Sequence, residues 1–210
     1  MDSTTGMASI YALKGRFQDL LRPMVGALYR GGITANQVTL IAAAISVLVA
    51  AVVYRAGTSW PLLYLLLPVW MLLRMALNAI DGMLAREFGQ QSRLGAYLNE
   101  LCDVVADATL YLSLLGVPGV NASALWSFAL LAALTEYAGV LGLMVGAGRR
   151  YDGPMGKSDR AFVIGALGLA LAFGLLGGHG VTGVALLLCL ACAATVWRRV
   201  RAGLADAAAR

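Results

Sequence analysis

Two runs of polar residues interrupt sequence that is otherwise apolar enough for a bilayer: Asn78, Asp81, Gly82, Ala85 and Arg86, then, eight residues on, Gly95, Asn99, Asp103 and Asp107. A carboxylate inside a membrane is expensive to hold without a compensating charge. Oxygen donors from Asp and Asn, with no His or thiolate among them, suit a hard divalent cation such as Mg2+ or Mn2+, held together with the phosphates of a substrate. Asn78, Asp81 and Ala85 stand at i, i+3 and i+7, one face of a helix; Asn99, Asp103 and Asp107 stand at i, i+4 and i+8, one face of the next. The short connection makes these helices antiparallel, so the two faces are expected to converge just inside the membrane. Gly82 and Gly95 remove side chains where a backbone or a ligand must come close, and Ala85 keeps the same face narrow. The competing reading pairs Asp81 with Arg86 or Arg74 and leaves the other carboxylates to line a pore.

The elements that must position these residues follow from composition. Of 210 residues, 60% are hydrophobic and 13% charged, against a usual charged fraction of about 25% in soluble domains. An all-α integral membrane protein is the class this implies. Six apolar segments, 35–54, 61–84, 95–115, 124–145, 161–177 and 181–197, each approach the ~20 residues a spanning helix needs. The connections alternate between basic (86–93, 149–160) and uncharged (116–123, 177–180). The C-terminal end carries Arg198, Arg199, Arg201 and Arg210, and Arg55 is the lone cation on the opposite side. By the positive-inside rule both termini and both basic loops face the cytoplasm. The formal charge of +5 is spread over these cytoplasmic segments, which suits lipid head groups and substrate phosphates and argues against a nucleic-acid partner.

Residues 1–30 are polar and basic, with no apolar core and cleavage site of the signal-peptide kind. Within 12–30, Leu13, Phe17, Leu20, Leu21, Met24, Val25 and Leu28 fall near helical spacing, with Lys14, Arg16, Asp19 and Arg22 elsewhere around the turn. That predicts an amphipathic interfacial helix, either a simple anchor or a clamp over the mouth of the site. Thr34 or Asn36 caps the first span. The chain reads as a single membrane domain, 1–210: the helix at 12–30, a six-helix catalytic part at 35–197 and a basic tail at 198–210. Cys102, Cys189, Cys192 and His179 lack pairing or metal-ligand spacing and read as structural. Glu136, well inside the fourth span, is a functional candidate by position alone.

The pattern Asp81-Gly82-x-x-Ala85-Arg86, eight residues, Gly95, three residues, Asn99, three residues, Asp103 resembles the signature of the CDP-alcohol phosphatidyltransferases, or CDP-alcohol phosphotransferases. The stretch Gly32-Ile33-Thr34-Ala35-Asn36-Gln37-Val38-Thr39 resembles the entry to their first span. Two of the family's four aspartates are Asn78 and Asn99 here, each removing a negative charge from a site similar to a two-metal cluster. Asp107 is the better placed of two extra carboxylates to restore charge, Glu100 lying on a neighbouring face.

The resemblance implies one or two Mg2+ or Mn2+ ions held by Asn78, Asp81, Asn99 and Asp103. It also implies a CDP part seated by Asp81, Gly82, Ala85, Arg86 and Gly95, with Asp103 as general base and Asp107 as the second catalytic candidate. The implied reaction moves a phosphatidyl group from CDP-diacylglycerol to a small polar alcohol, expected to be phosphorylated as inositol phosphate or glycerol phosphate, with release of CMP. In the branches with inositol phosphate or glycerol phosphate as acceptor, Arg149, Arg150, Lys157 and Arg160 would meet its phosphate. Ser158-Asp159-Arg160 loosely resembles an element of the inositol-phosphate branch; the other reading of these cations is that they only set topology. A homodimer in the bacterial inner membrane, with its site facing the cytoplasm, is also implied. Two alternatives stand beside this: transfer of a CDP-linked head group to a lipid alcohol, and a membrane binding protein or transporter of the same fold.

Overall fold

Thr34 opens the first long apolar helix through a reciprocal cap. Its Oγ1 accepts from the Gln37 N–H at 3.3 Å, and Gln37 Oε1 accepts from the Thr34 N–H at 2.9 Å, satisfying donors that a helix start otherwise leaves open. Gln90 Oε1 takes one more, the N–H of Ala35 at 2.7 Å. The computed structural model describes residues 4–209, with side chains described from Gly15 onward. Its helices are α1 (Thr4–Arg30), α2 (Ala35–Ala56), α3 (Leu66–Glu87), α4 (Arg93–Leu112), α5 (Ala122–Met144), α6 (Lys157–Ala172) and α7 (Gly178–Ala208). A 3-10 turn at Pro61–Leu65 leads into α3, and another at Ser113–Gly116 leaves α4. Every regular element among the described residues is helical.

Among the described residues, four stretches are long and apolar enough to cross a membrane: Ala35–Ala56, Pro61–Glu87, Ala122–Met144 and Gly178–Ala208. At most 39% of the apolar window of any of them is buried within the protein, so the rest of that apolar surface has to meet lipid. Leu48, Leu72, Leu130 and Leu190 are among the exposed side chains. The chain is an integral membrane protein. Helix α4 carries Arg93, Glu100, Asp103 and Asp107, and α6 has 16 residues; neither has the length and apolarity of the other four. Helix α7 runs unbroken through residues 198–208 and buries Arg199 and Gly203.

The chain divides into two compact units, Met1–Ala42 with Leu73–Cys102, and Ala43–Leu72 with Asp103–Arg210. In the first, Leu21 and Val25 of α1 pack with Val38 of α2 and Ile80, Met83 and Leu84 of α3. Arg22 closes a fork on Glu87, with Nε to Oε2 and Nη2 to Oε1 both 3.2 Å. The Tyr29 and Phe88 rings lie 4.5 Å apart. Leu20 and Met24 remain exposed, so α1 presents apolar surface both to its own core and outward. The side chains of Leu13 and Lys14 lie outside the described residues.

In the second unit, α5 and α7 pack together, with the Cys189 Sγ of α7 3.8 Å from the Ala124 carbonyl oxygen of α5. Trp70 of α3 donates its indole N–H to Ser46 Oγ of α2 at 2.9 Å. The connection from α5 to α6 folds back along α5, where the Arg150 N–H donates to the Gly139 carbonyl at 3.0 Å. A Cβ on Gly139 would sit 2.6 Å from the Arg150 carbonyl oxygen, so the missing side chain is what admits this strap.

Candidate active site

In the first unit, α3 places Asp81 in a buried position, 6% exposed. Thr39 of α2 donates its hydroxyl to Asp81 Oδ2 at 2.8 Å and has the Ala35 carbonyl at 3.1 Å as a second acceptor. Asn78 lies one turn earlier and Asn99 on α4; both are half-buried. A Cβ on Gly82 would meet Arg86 Nη2 at 2.9 Å, so the guanidinium folds back over the glycine. On Gly95, whose N–H donates to Ser92 Oγ at 2.9 Å, a Cβ would stand 2.8 Å from Asn36 Oδ1. The two motif glycines therefore make room for the motif arginine and for the start of α2. Ala85 packs against the core of this unit.

In the second unit, Asp103 of α4 forms an ion pair with Lys157, the first residue of α6. One turn on, buried Asp107 faces Arg160 Nη2 at 3.8 Å. Around them stands an arrangement the sequence did not announce, centred on Glu136 of α5. Its Oε1 accepts from Arg160 Nη2 at 2.8 Å and lies 3.5 Å from Arg199 Nη1; its Oε2 lies 3.5 Å from Arg149 Nη2. Arg160, 1% exposed, also donates to Thr135 Oγ1 at 2.7 Å, the Met155 carbonyl at 3.0 Å and Tyr111 OH at 3.3 Å. Arg199 donates to the carbonyls of Asp152 and Thr135. A small cavity lined by Asp107, Tyr111, Ala132, Glu136 and Arg160 adjoins this cluster.

Arg150 stands apart from Glu136. Its Nε is 2.9 Å from Asp152 Oδ2 and its Nη1 is 3.4 Å from Asp206 Oδ2. The hydrogen bond from Arg150 holds the Asp152 carboxyl below the usual carboxylate range, and the same bond raises the guanidinium in return. Of the four cations expected at an acceptor phosphate, Arg149 and Arg160 thus meet on Glu136, Lys157 meets Asp103, and Arg150 is taken by Asp152 and Asp206. Arg199, Thr135 and Tyr111 were not singled out from sequence. One available signal was the spacing Thr195, Arg199, Gly203, which continues a buried helical face past the end of the apolar run.

Of the expected metal ligands, Asn78, Asp81 and Asn99 belong to the first unit and Asp103 to the second. Among the described residues, no three His, Cys, Asp or Glu side chains form a metal-binding group, as a set of two carboxylates and two amides implies. Their donors are all oxygen, and Asp81 is an ionisable group held in a buried place beside a hydroxyl donor, a combination that fits Mg2+ or Mn2+.

The profile of CDP-alcohol phosphatidyltransferases matches residues 32–197, the whole of the motif and the helices that carry it. The chain belongs to this family. Among CDP-alcohol phosphatidyltransferases, Mg2+ or Mn2+ is the metal in use. The chain is 48% identical over 164 residues to inner membrane protein YnbA of Escherichia coli, covering 78% of this chain and 81% of that one. It is 33% identical over 98 residues to the phosphatidylinositol phosphate synthase of Mycobacteroides abscessus, covering 47% of this chain and 42% of that enzyme. Its fold is similar to the phosphatidylinositol phosphate synthase of Mycobacterium tuberculosis at 21% identity and a TM-score of 0.72, over 87% of this chain and 88% of that one, in a crystal structure with manganese and citrate. A second structure of the same enzyme has CDP-DAG bound and matches at a TM-score of 0.72 and 21% identity, over 86% of this chain and 92% of that one.

Proposed function

We propose that this CDP-alcohol phosphatidyltransferase moves the phosphatidyl group of CDP-diacylglycerol to a small polar alcohol and releases CMP. The observation that carries the reading is the motif from Asn78 to Asp103, intact in spacing, with buried Asp81 at its centre. Asn78, Asp81, Asn99 and Asp103 would hold one or two Mg2+ or Mn2+ ions, which supply charge neutralisation at the phosphoryl oxygens and orient the diphosphate. Arg86, folded over Gly82, seats the cytidylyl part together with Asp81, Ala85 and Gly95. The acceptor hydroxyl oxygen forms a bond to the phosphorus that carries diacylglycerol. The bond from that phosphorus to the CMP oxygen breaks, and the hydroxyl proton passes to Asp103, with Asp107 one turn along as the second base. The Mycobacteroides and Mycobacterium relatives, both phosphatidylinositol phosphate synthases, support a phosphorylated acceptor such as inositol phosphate as the precedent within the family.

Helices α4 and α6 complete a six-span domain in this reading, with α1 at the interface and both termini cytoplasmic. The name of the Escherichia coli relative supports the bacterial inner membrane. A homodimer is the assembly the resemblance implies, and cross-linking in membranes tests it. The function itself is tested by CMP release from CDP-diacylglycerol with Mg2+ or Mn2+, across acceptor alcohols, beside Asp81→Ala and Asp103→Ala. Acceptor-dependent release that both substitutions abolish is the expected result. Label in the lipid part that stays with CMP-free product, rather than label from a CDP-linked head group, separates phosphatidyl transfer from head-group transfer. Binding of CDP-diacylglycerol with no release under any condition would leave a binding protein of the same fold.

A further inference from the structure

We infer that Glu136 makes this chain select an acceptor alcohol that carries no phosphate. The inference rests on the transferase reading above and names the acceptor class for the same site. A phosphate monoester is close to a dianion near neutral pH, its second pKa being about 6, and holding it takes cations with donors to spare. In the second unit the cations around Asp103, Asp107 and Glu136 are Arg149, Lys157, Arg160 and Arg199, Arg150 being taken by Asp152 and Asp206. Three carboxylates face these four cations: Asp103, Asp107 and Glu136. Four cations would face two carboxylates without Glu136 and face three with it, so its charge weakens the pull of the cluster on a further anion.

The geometry sharpens the point. Arg160 and Arg199 are 1% and 2% exposed. Four hydrogen bonds already use the guanidinium of Arg160, out of the five N–H groups an arginine owns. A phosphate brought to Arg149, Arg160 and Arg199 would have to displace Glu136 or lie against it, carboxylate to phosphate, where burial weakens screening. The side chain on α5 therefore fills with its own negative charge the place an acceptor phosphate would take. Lys157 differs from the arginines because its partner, Asp103, is a proposed metal ligand. Once Asp103 turns to a metal, one ammonium is released. A single ammonium orients a hydroxyl or a carboxylate, and it lacks the fork that grips a phosphate.

The test pairs acceptors that differ only by phosphate: glycerol with glycerol phosphate and inositol with inositol phosphate, with serine added, in CMP-release assays on the purified protein in CDP-diacylglycerol micelles. In the wild type, kcat/KM for the unphosphorylated member is expected to exceed that of its partner by about tenfold or more. Glu136→Gln leaves three guanidiniums around a neutral amide, so the ratio should swing toward the phosphorylated member by about tenfold or more. Inorganic phosphate should raise the Tm of Glu136→Gln and leave that of the wild type unchanged. A wild type that prefers the phosphorylated acceptors overturns the inference and leaves the transferase standing. Equal stabilisation of both proteins by phosphate also overturns it. Should Glu136→Gln fail to fold, the wild-type preference decides alone. No CMP release with any acceptor removes the transferase reading on which the inference rests.

Discussion

Replacing Arg160 by Met keeps the length of the side chain and removes its charge from the centre of the second unit. Four hydrogen bonds go with it, to Tyr111, Thr135, Met155 and Glu136. At the roughly 0.6 kcal/mol that side-chain hydrogen bonds average between membrane helices, these amount to about 2 kcal/mol. Stripping one partner from a buried ion pair typically costs about 3–5 kcal/mol. The lower end applies here, because Arg149 and Arg199 still flank Glu136. A loss of about 3 kcal/mol is therefore expected, on the order of a hundredfold in the folded-to-unfolded ratio. Equilibrium unfolding in mixed micelles measures it, with Arg160→Met, Glu136→Gln and the double variant side by side. The double variant should lose less than the sum of the singles by at least about 1 kcal/mol, since it strands neither charge on the other's account. A single variant within about 1 kcal/mol of wild type, or strictly additive losses, would show that the cluster does not hold the unit together.

Gly139→Ala should lower stability by about 1–3 kcal/mol, since its Cβ would press on the Arg150 carbonyl, whereas Gly183→Ala enters open space and should lose nothing; paired unfolding curves check both. Thr34→Ala removes half of the reciprocal cap, and a loss of about 1 kcal/mol, with faster hydrogen exchange at the start of α2, is expected. The Asp152 carboxyl titrates below its ordinary value because Arg150 donates to it. Its contribution is therefore present above the unfolded value of about 3.9 and disappears as pH falls through the lower folded value. The stability gap between wild type and Asp152→Asn should accordingly stay constant through neutral pH and close only in acid. Chelation should abolish CMP release, and Mg2+ or Mn2+ should restore it.

The helices that meet lipid were legible because apolar length is a direct signal: α2, the 61–87 stretch, α5 and the apolar part of α7 lie where the hydrophobic runs do. Their ends were less so. Hydropathy marks where lipid stops, whereas a helix stops where its backbone hydrogen bonds do, and α7 continues eleven residues past Trp197 to Ala208. The start of α6 at Lys157 instead of 161 has the same cause, with Asp159 Oδ2 accepting from the Gly156 N–H at 2.9 Å to cap it. The packing of Arg86 on Gly82 and of Asn36 on Gly95 involves residues whose spacing already marks them out, because the motif that holds Asp81, Gly82, Arg86 and Gly95 is short in sequence. Glu136 drew notice as an intramembrane acid without a role. Its partners come from positions 149, 160 and 199, separations that no helical period encodes. For the same reason Arg199 was read with the basic end of the chain, and Thr39 was read only as part of a span entry.

Thr39 carries a single hydroxyl proton between two acceptors, the Asp81 carboxylate and the Ala35 carbonyl. Rotation about one bond hands that proton from one to the other. Asp81 can thus turn its oxygen toward a different charge while the hydroxyl parks its proton on the backbone of α2, and no buried donor is stranded. A serine would keep this swivel and a valine of the same shape would remove the hydroxyl and its hydrogen bond altogether, so the hold on the central carboxylate is set by a residue on another helix, forty-two positions away in sequence.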